Sequence, residues 1–260
     1  MDLQLSGKTA LVTGSTAGIG LAIAERLALE GADVTITGRN RDKLDAAAAV
    51  VAKSGTVRAI LADAATAEGA ATLTAALPDV DILVNNLGIY EMKEFAQITD
   101  EDWHHLFEVN VVSGARLARH YFPRMLSRSW GRIIFISSES SLMIPNEMIH
   151  YGMTKTAQLS IARGLAQQTQ RTGVTVNSVM PGPMRSDAMM GFVKSMADQT
   201  ASDGEAEQAF FDRMRPQSLI RRFIEPQEIG ATVAFLASPL AAATNGASIR
   251  AEGGIVPTIA

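Results

Sequence analysis

Thr13-Gly14-Ser15-Thr16-Ala17-Gly18-Ile19-Gly20 joins a short β-branched run, Thr9-Ala10-Leu11-Val12-Thr13, to an Ala-rich helical stretch from Ile19 to Glu30. A strand, a glycine-rich turn and a helix in that order can cradle phosphate. Gly14 permits the tight turn, Gly18 lets backbone approach a pyrophosphate, and Gly20 lets the helix pack close to the sheet. The helix N-terminus adds unpaired N–H groups and a partial positive charge. The spacing is Gly-x3-Gly-x-Gly rather than the commoner Gly-x-Gly-x-x-Gly, and taken alone it also suits an ordinary strand–helix turn.

The same alternation continues outward. Asp33–Thr37, Thr56–Leu61, Asp81–Val84, Ile133–Ile136 and Val174–Val179 read as strands. Arg41–Lys53, a stretch between the third and fourth strands, Asp100–Arg128 and Ile149–Thr172 read as helices. The strand runs are apolar rather than strictly alternating, as strands covered on both faces should be. This predicts an α/β fold, a doubly wound parallel sheet of about seven strands with helices on both faces. The chain has 260 residues, 47% hydrophobic and 19% charged, enough for one sizeable core, and it reads as a single domain over 1–260. A net charge of −4 argues against nucleic acid as a partner. The absence of Cys excludes thiol chemistry, and four His in no ligand spacing argue against a metal site. No basic start followed by an apolar stretch marks a signal peptide, and no run is long enough to span a membrane, so a cytoplasmic protein is expected. Arg185 to Pro216 breaks the rhythm: it is polar, Met-rich and helical in composition, with a break at Ala201-Ser202-Asp203-Gly204. It reads as an insertion over one face.

Tyr151 and Lys155 are four apart on a predicted helix and share a face. A free phenol titrates near 10, and a nearby ammonium is expected to lower that value, giving a proton donor and acceptor for a carbonyl–alcohol pair. Further motifs fall in order: Asn85-Asn86-Leu87-Gly88 after the fourth strand, Asn110, Ser138, Pro181-Gly182 after the sixth strand, and Glu252-Gly253-Gly254 near the end. With the loop at 13–20, these resemble the short-chain dehydrogenase/reductase family over essentially the whole chain. The sequence departs from the family pattern at Leu87, where the family has Ala, and at Glu252, where it has Asp. The resemblance implies a Rossmann-type fold and a nicotinamide cofactor. It implies Asn110, Ser138, Tyr151 and Lys155 as the catalytic group: Ser138 bonds the substrate oxygen beside Tyr151, Lys155 bonds the nicotinamide ribose, and Asn110 holds a water against the lysine. Cofactor contacts are implied for Gly14, Ser15, Thr16, Gly18, Ile19 and Gly20, for Asn86 and Gly88, for Tyr151 and Lys155, and for Pro181, Gly182 and Met184. Asp63 resembles the residue that bonds the adenine amino group. His150, adjacent to Tyr151 and so turned about 100° from it on a helix, is expected not to be catalytic.

The second strand ends Thr37-Gly38-Arg39-Asn40, without the acidic residue that would bond both ribose hydroxyls of NAD. Gly38 leaves room and Arg39 can fork onto a 2′-phosphate, so NADP(H) is the expected cofactor, with NAD(H) possible if Arg39 only stacks on adenine. The expected activity is carbonyl–alcohol interconversion by hydride transfer, 3-oxoacyl reductase-like or as a general carbonyl reductase. An NAD-dependent alcohol dehydrogenase and a non-catalytic dinucleotide sensor are the alternatives. Nine Met between 143 and 214 suit an adaptable apolar pocket or fill core gaps. Leu87, Glu139, Ser140 and Met148 are the candidate substrate residues. Glu139 either points away from Ser138 or reaches a substrate amine or hydroxyl. The 185–216 segment is either a mobile lid or a fixed helical pair. The resemblance also implies a homotetramer or homodimer built on the two long helices, with apolar residues such as Leu117 and Leu165 available for burial.

Overall fold

Strand β1 (Thr9–Val12) feeds the glycine loop into α1 (Gly18–Leu29), and the strand–helix alternation then runs the length of the chain. It continues as β2 (Asp33–Gly38), α2 (Arg41–Val51), β3 (Val57–Leu61), α3 (Ala67–Ala76) and β4 (Ile82–Asn85). Next come α4 (Asp100–Phe107) and α5 (Ser113–Ser127), joined by a π-helical turn at Glu108–Val112, then β5 (Trp130–Ile136), α6 (Ile149–Ala166) and β6 (Gly173–Pro181). The chain closes with α7 (Asp187–Met196), α8 (Asp203–Met214), α9 (Pro226–Ala237) and β7 (Ser248–Ala251). The structure is a computed structural model that describes residues 1–196 and 202–259.

The sheet has seven strands in the order β3-β2-β1-β4-β5-β6-β7, all parallel. Neighbouring side chains of one strand go to opposite faces, and both faces are dry. Ala10 and Val12 join Ile23, Leu27, Leu44 and Val233 in one core. Leu11, between them, joins Leu73, Leu83, Tyr121 and Phe135 in the other. This double burial explains why the strands read as continuous apolar runs. The α1 and α9 helices meet closely on the first face, where a Cβ on Gly230 would stand 2.8 Å from the Ala22 carbonyl oxygen.

From β1 the chain winds outward through β2 and β3, then crosses back to lay β4 on the other flank of β1. The reversal opens a crevice at the carboxyl ends of β1 and β4, where ligands of such sheets bind. Thr13 stitches that crevice: its hydroxyl accepts from the Asn86 and Leu87 N–H groups at 3.0 and 3.1 Å.

The long helices differ from their sequence reading in two ways. The π-helical turn splits Asp100–Arg128, shifting the register so that Asn110 faces inward, buried. Leu117 is only 1% exposed and belongs to the chain's own core, so it is not available to a subunit interface. Leu165 is half-buried against the same core.

The 185–216 stretch folds as α7 and α8, with a small core of Val193, Ala206, Phe210, Phe211 and Phe223. The three rings lie 5.1–5.2 Å apart, centroid to centroid. Arg185 pairs with Glu207 at 2.8 Å and Glu225 at 2.7 Å, tying the pair to the start of α9. At the expected break, Ser202 caps α8 in a reciprocal capping box with Glu205. Ala201 and the Met196 side chain lie outside the described residues. Among the described residues no helix is long and apolar enough to cross a membrane.

Candidate active site

The glycine loop needs its glycines for reasons visible in the backbone. Gly14 and Gly18 adopt φ of +61° and +54°, the left-handed region. A Cβ on Gly20 would lie 2.3 Å from the Gly14 carbonyl oxygen and 2.5 Å from Asn86 Nδ2. The first turn of α1 therefore sits directly on the loop. Its N-cap, Ala17, supplies no side-chain cap, so the N-terminal N–H groups stay open toward the crevice.

Asn86 braces this loop from the β4 side, its Nδ2 donating to the carbonyls of Thr13 at 2.9 Å and Gly14 at 3.1 Å. Ser15 is fully buried and turned inward: its hydroxyl donates to Val12 O at 2.8 Å and accepts from Thr37 N at 3.0 Å. Its side chain is occupied within the fold, leaving only backbone to offer a ligand. Thr16 packs its methyl against Gly38, where a Cβ would come within 2.5 Å. Gly38 thus accommodates Thr16 as well as leaving room beyond β2. Arg39 stands next to it, 82% exposed in its side chain and 3.9 Å from Asp63. Asp63 also accepts from the Ala65 N–H at 3.0 Å.

A cavity of about 590 Å³ runs from the glycine loop to the C-terminal end of β5 and beneath α7 and α8. Gly14, Gly18, Ile19 and Gly20 form one end, with Asn86, Leu87 and Gly88 beside them. Ser138, Tyr151 and Lys155 line it together. Pro181, Gly182 and Met184 form the far wall after β6. Gly182 is required there, since a Cβ would stand 2.7 Å from the Glu252 carbonyl oxygen. The Glu252 carboxylate is buried and accepts from Arg250 and the Ile255 N–H, fixing the turn in which Gly253 and Gly254 take positive φ. The candidate substrate residues Glu139, Ser140 and Met148 also face this space. Of the Met cluster, Met184, Met189 and Met214 line it too, whereas Met180 is buried and accepts from Ser141 at 3.3 Å through its sulfur.

Lys155, 4% exposed, donates from Nζ to Ile136 O at 2.9 Å and to Gln158 Oε1 at 3.4 Å. Burial pushes its pKa down to about 8. Nζ stands 5.7 Å from the centre of the Tyr151 ring. The expected depression of the Tyr151 pKa is not found. Burial and then the negative charge of Glu139 drive it well above the ordinary phenol value, and a side-chain hydrogen bond with Ser138 opposes them only in part. Desolvation of the phenolate is the largest of these influences, with the Glu139 charge next.

Asn110 lies behind this group rather than in the cavity wall. Its Oδ1 accepts from Ile89 N at 2.8 Å, and its Nδ2 donates to Ile89 O at 2.9 Å and Thr154 Oγ1 at 3.0 Å. Its main-chain carbonyl accepts from Gln158 Nε2 at 2.6 Å. The link from Asn110 to Lys155 therefore runs through the Gln158 side chain. Sequence reading missed Gln158, although its position three residues after Lys155 puts it on the same helix face. It also missed Arg215, at the end of α8, which reaches Glu139 at 3.4 Å. No local motif marks that long-range contact. His150 is fully buried against Trp103, with neither ring nitrogen hydrogen-bonded among the described residues, and burial pushes its pKa down.

The arrangement joins a loop suited to phosphate with a half-buried phenol held protonated by desolvation, a lysine and a serine at one cavity, the parts needed to move a proton at a carbonyl oxygen beside a bound dinucleotide. Comparison with known proteins agrees. Residues 8–200 match the family model for short chain dehydrogenase. The oxidoreductase YvaG of Bacillus subtilis is 48% identical over 264 residues, covering 100% of both chains. The 3-oxoacyl-[acyl-carrier-protein] reductase FabG of Aquifex aeolicus is 32% identical, covering 98% of this chain and 100% of that one. The structure of L-sorbose reductase from Gluconobacter frateurii, complexed with NADPH and L-sorbose, is similar at 31% identity and a TM-score of 0.92, covering 100% of both chains. This chain belongs to the short chain dehydrogenase family and is an oxidoreductase of the alcohol–carbonyl class.

Proposed function

We propose that the protein is an NADP(H)-dependent oxidoreductase that reduces a ketone to an alcohol, and runs the reverse reaction, by hydride transfer. The observation that carries this reading is that Tyr151, Ser138 and Lys155 line one cavity together with the glycine loop. The residues present fit a dinucleotide. The loop is a cradle that a Cβ at Gly20 would fill, and the uncapped start of α1 faces it. Gly14, Gly18 and Ile19 would hold the pyrophosphate, Asn86 and Gly88 the adjoining ribose, and Pro181, Gly182 and Met184 the nicotinamide side. When bound and reduced, the nicotinamide supplies the hydride.

The chain's own residues supply the proton. Tyr151, held protonated by burial, donates from its hydroxyl to the carbonyl oxygen as that oxygen gains charge. Ser138, which lines the cavity with Tyr151, turns its O–H from Glu139 to that oxygen when the substrate binds and so positions it. The Lys155 ammonium, beside the Tyr151 ring, returns a proton to the phenolate, and Gln158, bonded to both Lys155 Nζ and the Asn110 carbonyl, holds that ammonium in place. The apolar roof of Met189, Phe192 and Phe210 excludes water from the reacting carbon.

Arg39 supports the NADP preference. It is exposed beside Gly38, with one long contact to Asp63, and no carboxylate sits at the end of β2 to claim a ribose diol. NADPH is expected to bind at least about tenfold more tightly than NADH, and Arg39→Asp to reverse the order, read by fluorescence titration of both cofactors. Equal affinities in the parent protein would remove Arg39 as a phosphate ligand.

We also read α7 and α8 as a lid. Amides in 187–196 and 203–214 are expected to exchange quickly in the free protein and to slow with NADP plus substrate more than with NADP alone. Uniform protection in all three states would make the pair, with its own aromatic core, a fixed wall.

A further inference from the structure

Glu139 is a buried carboxylate lining the cavity, and the reaction described above gives it no task. It directly follows Ser138, is 4% exposed, and lines the same space as Tyr151. Its Oε2 accepts from Ser138 Oγ at 2.5 Å, and its Oε1 stands 3.4 Å from Arg215 Nε. Because a carboxylate can only accept, the proton in the first contact belongs to Ser138. Arg215 is held in turn by donating from Nη1 to Met214 O at 2.8 Å. Ser138 Oγ also accepts from the Ser140 N–H at 3.1 Å, so the serine is braced from both sides.

A carboxylate offers about four acceptor positions, and Ser138 and Arg215 take one each. Glu139 is one of the residues lining the cavity, which puts the remaining capacity within reach of a ligand there. A ligand that brings only methylene groups there leaves a desolvated acceptor unpaired, which is costly. A carboxylate or phosphate is repelled by a like charge in a poorly solvated site. An ammonium meets the Arg215 guanidinium, which already supplies the positive charge. A neutral hydroxyl is the donor that fits. Its place is also set: Ser138 and Glu139 are adjacent groups on one wall, so a ligand whose reacting oxygen rests on Ser138 and Tyr151 presents its next oxygen to Glu139.

Building on the oxidoreductase reading above, we propose that Glu139, anchored by Arg215, is a specificity-determining residue that accepts a hydrogen bond from a hydroxyl on the carbon next to the reacting one. The substrate class is then the α-hydroxy ketone, and in the oxidative direction the vicinal diol.

The test compares matched ketones, 1-hydroxy-2-butanone against 2-butanone, by the loss of NADPH absorbance. It is paired with NADPH fluorescence titration of every protein used. The hydroxyketone is expected to have a kcat/KM about a hundredfold or more above its partner. In Glu139→Leu that ratio is expected to fall at least about tenfold. Glu139→Gln, which keeps one oxygen as acceptor and preserves the packing around Arg215, is expected to lie between. A ratio below about tenfold in the parent enzyme overturns the proposal. So does an unchanged ratio in both variants, which would leave Glu139 as a brace for Ser138 alone. If the Leu variant does not fold, the parent ratio and Glu139→Gln decide. An enzyme that binds NADPH and reduces both ketones alike, or reduces neither, overturns the hydroxyl inference and leaves the dinucleotide reading intact. Failure to bind NADPH overturns both.

Discussion

Tyr151→Phe is expected to lower kcat roughly a thousandfold while leaving NADPH affinity within a few-fold. The change removes one oxygen and nothing else. The ring keeps its edge contact with Tyr90 at 6.1 Å between centroids and its place 5.7 Å from Lys155 Nζ. The glycine loop at the other end of the cavity does not touch the missing atom, so a cofactor titration reads an intact site. What disappears is the group in the cavity best suited to give a proton to a carbonyl oxygen. Burial keeps that proton on the phenol at neutral pH, which favours reduction. Oxidation of an alcohol needs the phenolate, so its rate in the parent enzyme is expected to climb as pH rises while reduction does not gain. A variant that retains a tenth or more of the parent kcat would move the acid–base role elsewhere, with the Ser138–Glu139 pair the adjoining candidate.

Much of this was legible in the sequence, for identifiable reasons. Strands buried on both faces leave apolar runs, so β1 to β6 could be read directly, and the glycine loop follows from backbone demands that few residues meet. β7 could not be read the same way. Ser248-Ile249-Arg250-Ala251 is short, at the sheet edge and only partly buried, so it carries no continuous apolar signal. The π-helical turn at Asn110 was hidden because its cause is tertiary: the Asn110 amide bonds the Ile89 backbone and its carbonyl bonds Gln158. Leu117 looked like an interface residue because helical periodicity says which face is apolar but not what covers it. The Tyr151 expectation failed on a balance. Tyr-x3-Lys spacing reports a nearby ammonium, but not how deeply both groups are buried or that Glu139 bears on the phenol. Arg215 and Glu139 are 76 residues apart in sequence, beyond the reach of any local pattern.

Lys155→Met carries the second large effect, and it has opposite signs for activity and for stability. Turnover is expected to fall by about a hundredfold or more, since the proton route behind Tyr151 is cut. The free protein is expected to become more stable. Lys155 is 4% exposed, and among the described residues no carboxylate pairs with it. Burial lowers its pKa from 10.5 to about 8. A drop of that size corresponds to about 3 kcal/mol against the folded state wherever both forms are charged. Met fills a similar volume without the charge. It also strips a donor from Ile136 O and Gln158 Oε1, which returns about 1 kcal/mol or more of that gain. The net expectation at pH 7 is a stabilisation of about 1–2 kcal/mol in urea unfolding. The pH dependence separates this cause from a packing effect. Below about 8 the lysine is charged both folded and unfolded, so the difference between the two proteins is constant. Between about 8 and 10.5 the unfolded parent chain holds more protons than the folded one, so the parent gains stability as pH rises and the variant's advantage closes. An advantage that persists unchanged to pH 10, or a variant less stable at pH 7, would mean that the Ile136 and Gln158 hydrogen bonds outweigh the desolvation of the charge. The lysine would then be a net stabiliser of the fold it serves.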